Sequence, residues 1–311
     1  MMINTVRNVA YKAFGLRIVS EIPLPELPQM SEQKDMADIT IEIADLSGQW
    51  RKYTAEQQQR FVVEENVVMF RVPHTAIFSI QEGKKIIFSP MPGVEEDKIR
   101  LYILGTCMGA LLIQRKILPL HGSAIAIDGK AYALVGDSGA GKSTLASAFL
   151  CKGYQLLSDD VIAVSLSYEN SPLVMPSYPQ QKLWQESLNG LGMETTLYRP
   201  LFERETKYAV PVSSQFFADP LPLAGVIELV KTENESIEIL RTEGLERLHT
   251  LFRHTFRNFL IPRLGLMEWH FANSANMVNK IDMFQLQRPT SRFTAHELVS
   301  LILSSLNKGG I

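Results

Sequence analysis

The stretch Gly136-Asp137-Ser138-Gly139-Ala140-Gly141-Lys142-Ser143-Thr144 sets two glycines, a lysine and a hydroxyl at the spacing G-x-x-x-x-G-K-[ST]. Those residue types at that spacing suit the holding of phosphate. Glycine takes positive φ and lets the backbone approach an anion with no Cβ in between, so successive N–H groups form an anion cradle where a helix begins. Lys142 would then reach the β- and γ-phosphates of a nucleotide, and the Ser143 hydroxyl would ligate Mg²⁺. A second chemical group follows closely. Tyr154-Gln-Leu-Leu-Ser158-Asp159-Asp160-Val161 is a short apolar run ending in two carboxylates, the layout of a strand that presents acid at its C-terminal edge, where ligands bind in open α/β sheets. Adjacent residues of a strand point to opposite faces, so one aspartate could hold Mg²⁺ while the other accepts the proton of an attacking hydroxyl, as phosphoryl transfer requires.

The elements around these residues must deliver them to one place. Lys130–Val135 reads as a strand entering the loop and Ser143–Lys152 as a helix leaving it, with Gly153 placed to cap its C-terminus. Asp128-Gly129 between two alternating apolar runs signals a type I′ hairpin. The strand that feeds the loop is therefore expected to pair antiparallel with the strand before it, whereas ordinary P-loop proteins set this strand in a parallel sheet. The same hairpin carries His121 toward the loop end of the sheet. From the residues alone His121 is either a strand-end residue or a catalytic one.

Composition narrows the classes. A chain of 311 residues is long enough for a large core and two domains. A net charge of −2 leaves no basic footprint, so nucleic acid is not an expected partner. The two cysteines, Cys107 and Cys151, supply neither a disulfide framework nor metal-ligand spacing, and Cys151 on the loop helix reads as a small buried hydrophobe. The opening MMINTVRNVAYK lacks the apolar core of a signal peptide. Leu101–Ile113 is too short to span a membrane and reads as a buried helix running from about Asp97 to Ile117. A cytoplasmic protein with no membrane partner is the expectation.

Residues 1–95 are expected to form a β-rich N-terminal domain that recognises a substrate or partner or is purely structural. Its strands are Tyr11–Val19, Ile39–Ile43, Phe61–Glu64, Val67–Val72, Ala76–Gln81 and Lys85–Phe88, with Pro23, Pro25 and Pro28 as a stiff connector. Residues 96–311 are expected to form the α/β catalytic domain, closed by helices and a final strand.

His121-Gly122, the hairpin, GDSGAGKS, the helix ending in Gly153-Tyr154 and Ser158-Asp159-Asp160 together resemble the catalytic core of HPr kinase/phosphorylase, a family related in fold to phosphoenolpyruvate carboxykinase. The resemblance covers residues 119–165 closely and the rest loosely. It implies an HPr kinase/phosphoenolpyruvate carboxykinase-like P-loop domain that transfers phosphate from ATP, with Mg²⁺, to a serine hydroxyl. His121, Lys142, Asp159 and Asp160 would be catalytic, and Ser143, Asp159 and Asp160 would hold the metal. The segment Phe14–Leu27 looks like the HPr-kinase homologues found beside lasso-peptide biosynthesis genes, which phosphorylate the C-terminal serine of a precursor peptide. Two departures stand out: Thr144 follows the loop serine where the family usually has Glu, and Pro179-Gln-Gln-Lys182-Leu-Trp184 replaces the Glu-Ile-Arg-Gly type signature tied to the phosphorylase reaction. HPr kinases are hexamers, and the departures keep the expectation here at a homo-oligomer of unspecified size.

Further cations are weaker candidates. Lys207 could contact a transferring phosphoryl group or lie in a solvated loop. Arg253 and Arg257 share a face at helical spacing and are either surface cations or substrate contacts. Trp184 and Trp269 read as core. Asn279-Lys280-Ile281-Asp282 matches the guanine-selecting N-K-x-D, but a helix precedes it and a strand follows, the reverse of the order that motif needs, so it is a chance match. The sequence therefore points to a serine kinase acting on a peptide or protein, the lasso-peptide precursor foremost. An HPr-type protein kinase, a small-molecule kinase and a nucleotide-gated binding protein are the alternatives.

Overall fold

The computed structural model describes residues 9–31, 36–54, 60–201 and 204–307. The chain divides into two compact units, one of Met1–Leu118 with Phe259–Glu268 and one of Pro119–Asn258 with Trp269–Ile311.

In the first unit β1 (Val9–Ala13) and β2 (Leu16–Ser20) form a hairpin, followed by β3 (Ile39–Ile43), helix α1 (Ser47–Thr54), β4 (Phe61–Glu64), β5 (Val67–Val72), β6 (Ala76–Gln81) and β7 (Lys85–Pro90). They make one sheet in the order β1-β2-β3-β7-β6-β5-β4. The expected single strand over Tyr11–Val19 is broken because Phe14 and Gly15 take φ of 56° and 73° and turn the chain back on itself. The remaining expected strands fall where their alternation put them, and Ile39, Ile41, Phe78, Ile80 and Phe88 are fully buried. The long apolar helix is α2 (Glu96–Tyr102), a π-helical turn (Ile103–Cys107) and α3 (Met108–Gln114). Every residue from Ile103 to Ile113 is buried, and α3 packs on β6. A helix apolar on all sides needs neighbours on all sides, and it finds them in this unit, so the compact division falls after Leu118, beyond the expected boundary at residue 95.

The second unit carries the loop. β8 (Leu118–Ile127) and β9 (Lys130–Gly136) are the expected antiparallel hairpin, with Asp128 and Gly129 at φ of 48° and 72° as a type I′ turn requires. Helix α4 (Lys142–Cys151) leaves the loop, then come β10 (Gln155–Leu166), β11 (Pro172–Met175), β12 (Gln180–Trp184), α5 (Gln185–Gly190), β13 (Arg199–Leu201), β14 (Arg204–Pro211), β15 (Leu221–Thr232) and β16 (Glu238–Arg241). Helices α6 (Glu246–Arg253), α7 (Leu260–Arg263, within the first unit) and α8 (Met267–Val278) precede β17 (Asp282–Pro289), and the last described element is a helix, α9 (Ala295–Asn307), rather than a strand. The central sheet runs β11-β10-β8-β9-β15-β17-β16. It is mixed: β9 is antiparallel to β8 yet parallel to β15, and β15 is parallel to β17. A second, three-stranded sheet runs β12-β14-β13.

Near-continuous burial along β8 and β10 marks strands covered on both faces. Leu145 and Phe149 of α4 share a core with Leu286 of β17 and with Leu298 and Ile302 of α9. Cys151 is exposed rather than buried, since it closes the last turn of α4 after the core-facing Phe149 and Leu150. Asn279-Lys280 do follow a helix and precede a strand, as the reading against N-K-x-D required. No helix among the described residues is long and apolar enough to cross a membrane.

One close approach fixes the hairpin. A Cβ at Gly122 would lie 2.1 Å from the carbonyl oxygen of Leu134 on β9. Gly122→Ala therefore forces the two strands apart and should cost about 2 kcal/mol or more, measured as a lowered urea midpoint. A midpoint equal to that of the unsubstituted protein would show that the strands separate freely.

Candidate active site

β9 delivers the loop. Gly136 ends the strand at φ 146°, where a Cβ would sit 2.6 Å from the Leu229 carbonyl, and Gly141 opens α4 at φ 102°. The Asp137 carbonyl accepts the Ala140 N–H at 3.0 Å and the Gly141 carbonyl accepts that of Leu145 at 2.8 Å, closing the turn into the helix. Lys142 is buried and bends over the loop, donating to the Gly136 carbonyl at 2.8 Å and the Asp137 carbonyl at 3.0 Å. Burial lowers its pKa, while the charges of Asp159 and Asp160 pull in the opposite direction.

The two aspartates sit within β10, not at its end, because the strand continues to Leu166. Both line the cleft, contrary to the alternation expected of a strand, and the reason is local: Asp160 has φ 75°, which breaks the extended pleat at that residue. Asp159 is held by neutral donors, accepting from the Ser123 hydroxyl at 2.6 Å and from the Lys182 backbone N–H at 2.8 Å. Asp160 is held by charge: the Lys182 ammonium lies 2.6 Å from its Oδ2. Burial works to raise the Asp160 pKa, but the Lys182 ammonium outweighs it and keeps the carboxyl well below the usual range. Burial likewise opposes the charge on Lys182, and Asp160 overrides it, so that ammonium stays protonated.

The antiparallel hairpin brings His121 to the same cluster. Its Nδ1 lies 3.0 Å from the Asp160 carbonyl oxygen and 3.6 Å from Asp160 Oδ1. An acceptor at that distance assigns the proton to Nδ1 and leaves Nε2 with its lone pair. Burial lowers the His121 pKa despite Asp160, so the ring is neutral at neutral pH. Its backbone N–H donates to the His254 carbonyl at 2.8 Å, which pins the strand beside the end of α6.

His121, Lys142, Ser143, Asp159 and Asp160 thus line one cleft of about 550 Å³, together with Ser138, Gly139, Gly141, Thr144 and Lys207. Thr144 also shares a 2.6 Å hydrogen bond with Ser187 of α5. Arg253 does not line the cleft; it donates to Asp137 Oδ2 at 2.7 Å and so braces the loop. Arg257 is not on a helical face with Arg253, because α6 ends at Arg253 and Arg257 takes φ 55°, lying over the Phe256 ring at 5.6 Å. Trp184 is 40% exposed at the cleft, with the Lys207 ammonium 5.3 Å from its ring centroid.

Several site residues were not singled out from sequence. Ser123 and Lys182 hold the acid pair, Lys231 and Arg288 stand opposite each other at the ends of β15 and β17, and Arg288 Nε donates to the Ala140 carbonyl at 2.7 Å. Behind the loop Glu228 and His254, both buried, are 2.7 Å apart. Lys182 carried no readable signal, since β12 reads Gln180-Gln181-Lys182-Leu183-Trp184 with no apolar alternation to mark the lysine as inward-facing.

The strand, glycine loop and helix, with a mixed sheet supplying acids beside them, define a P-loop α/β domain. No protein-family model matches the chain. Over 98 residues it is 35% identical to HPr kinase/phosphorylase of Mycoplasmopsis pulmonis (strain UAB CTIP), a match covering 31% of each protein, so the chain spans about a third of the length of that curated relative. The resemblance read from the loop, His121 and the acid pair is thereby found again by direct comparison. Among solved structures, the HPr(Ser) kinase/phosphatase from Coxiella burnetii aligns with 61% of this chain and 97% of its own, at 14% identity and a TM-score of 0.35.

Lys182→Met removes the cation from Asp160 and leaves a mostly buried carboxylate uncompensated, which should cost about 2–4 kcal/mol at pH 7. The sign with pH follows from the depressed pKa of Asp160: its contribution is present above the unfolded value near 4 and is lost as pH falls through the folded value. The gap between the two proteins should therefore narrow below about pH 4. Urea unfolding at pH 7 and pH 3 checks this, and a gap independent of pH would rule out the ion pair as its source.

Proposed function

We propose that this chain is an ATP-dependent kinase that moves the γ-phosphoryl group to a serine hydroxyl of a peptide or protein. The observation that carries the reading is the convergence of Lys142, Ser143, His121 and the two aspartates on one cleft at the mouth of the glycine loop. The sequence match to HPr kinase/phosphorylase supports it, and the Phe14–Leu27 segment favours a lasso-peptide precursor ending in serine as the acceptor.

The donors suit Mg²⁺, which takes oxygen ligands and binds through one or two carboxylates plus phosphates and water. Ser143 and Asp159 are the residues to hold it. Asp159 accepts only from a hydroxyl and an amide, whereas a dication on Asp160 would stand against the Lys182 ammonium 2.6 Å from that carboxylate. Held by Ser143 and Asp159, the metal would neutralise charge on the phosphate. The loop N–H groups and Lys142 orient the phosphates. Asp160 then takes the proton of the serine hydroxyl as the serine oxygen bonds to the γ-phosphorus and the bond from that phosphorus to the ADP oxygen breaks, releasing ADP, while His121, bonded through Nδ1 to the Asp160 carbonyl, holds that residue in place. These roles need groups held in place before reaction, and the bonds from Lys182 and Ser123 provide that.

Asp160→Asn should leave ATP binding within about twofold and lower turnover by 10²–10⁴-fold, on the order expected for a lost base. Asp159→Asn should instead weaken the response to Mg²⁺. Labelled ATP offered with a serine-ended peptide, HPr and small hydroxyl compounds, followed by mass spectrometry, identifies the acceptor. Phosphate appearing on none of them, with ATP bound, would favour a nucleotide-gated binding protein.

A further inference from the structure

The Phe293 ring lines the same cleft as the glycine loop and the acid pair, and we infer that it is the stacking platform for the base of the bound nucleotide. The inference rests on the nucleotide reading above and assigns the subsite that reading leaves open. Sheet order gives the direction. The aspartates are on β10, two strands to one side of β9; Arg288 is on β17, two strands to the other side, and Phe293 lies in the segment that follows β17. Four strand intervals span about 19 Å, the scale of an extended nucleoside triphosphate. With its terminal phosphate at the acids and its chain over the loop, the nucleotide must lay its base on the β17 side.

What stands there suits a base. Phe293 lines the cleft and is 42% exposed. The ring is fixed from behind, since a Cβ at Gly190 would come within 2.5 Å of it, and His296 meets its edge at a centroid distance of 6.1 Å. A fixed aromatic face open to a cleft binds a flat heterocycle by offset stacking, with little ordering to do on binding. Lys231 and Arg288 line the same cleft, Arg288 bonded to the Ala140 carbonyl of the glycine loop at 2.7 Å, and their charges suit the phosphates nearer the sugar.

The test is direct binding to the intact protein, so it needs no acceptor. Mg–ATP and Mg–tripolyphosphate are titrated by calorimetry into the unsubstituted chain, Phe293→Ala and Phe293→Leu. Leucine keeps an apolar side chain against Gly190 and serves if the alanine variant does not fold. Stacking predicts that ATP affinity falls about tenfold or more in both variants, that tripolyphosphate affinity is unchanged, and that Phe293→Trp retains ATP. Equal ATP affinity with and without the ring overturns the inference, and so does an equal loss for ATP and tripolyphosphate, which would make Phe293 a support of the loop. If the unsubstituted chain binds tripolyphosphate as tightly as ATP, the base has no subsite, whereas binding of neither would remove the nucleotide reading itself.

Discussion

Two neighbouring carboxylates in one partly buried cleft are the constraint on which this site depends. Like charges about 5 Å apart repel by roughly 3 kcal/mol at the effective dielectric of a protein, and a polyphosphate would add to that repulsion. Lys182 answers both acids at once, through its backbone N–H to Asp159 and its ammonium to Asp160. Only a long basic side chain does both, and β12 holds this one where its backbone and its ammonium reach adjacent residues of β10. The small sheet of β12, β13 and β14 exists in the right place because β12 packs on α4 and β10. Its role is to seat that lysine.

The mixed pairing around β9 has a second consequence. Antiparallel pairing on one side sends the start of β8 back to the loop, so a residue some fifteen positions upstream of the glycines, His121, stands beside Asp160. Parallel pairing on the other side brings the C-terminal ends of β15 and β17 to the same edge, delivering Lys231 and Arg288. A wholly parallel sheet would supply the second set and not the first. Gly122 is the point where this arrangement meets its steric limit, because the loop strand passes so close that no side chain fits.

Much of this was legible in the chain. The loop, its strand and helix and the Asp128-Gly129 hairpin depend on short-range rules of φ and turn type, and local sequence carries those. The acid pair was legible in kind and misread in placement: nothing in Ser158-Asp159-Asp160 announces that Asp160 adopts a left-handed conformation within a continuing strand. Arg253 and Arg257 followed helical spacing, but the helix end at Arg253 comes from tertiary packing that spacing does not report. Lys182, Arg288 and Phe293 belong to strands and segments far from the motif in sequence, and only the fold brings them to it, whereas Ser123 stands next to Gly122 and shows its role only through its bond to Asp159.

On the proposed nucleotide reading, Lys142 gives such a loop a physical reason to favour a phosphate chain over a singly charged anion. Its ammonium already holds two carbonyls of the loop, at 2.8 and 3.0 Å, so an incoming ligand must offer a stronger acceptor than a neutral carbonyl. Charge-assisted hydrogen bonds are about twice as strong as neutral ones, and a phosphate chain offers several oxygens in the span of a single loop. Burial lowers the pKa of this lysine, which makes its charge dependent on nearby anions: the carboxylates sustain it, and a phosphate would sustain it further. The same desolvation that weakens the free ammonium therefore strengthens its preference for a dense, multiply charged partner, and a singly charged carboxylate or halide gains little from the exchange.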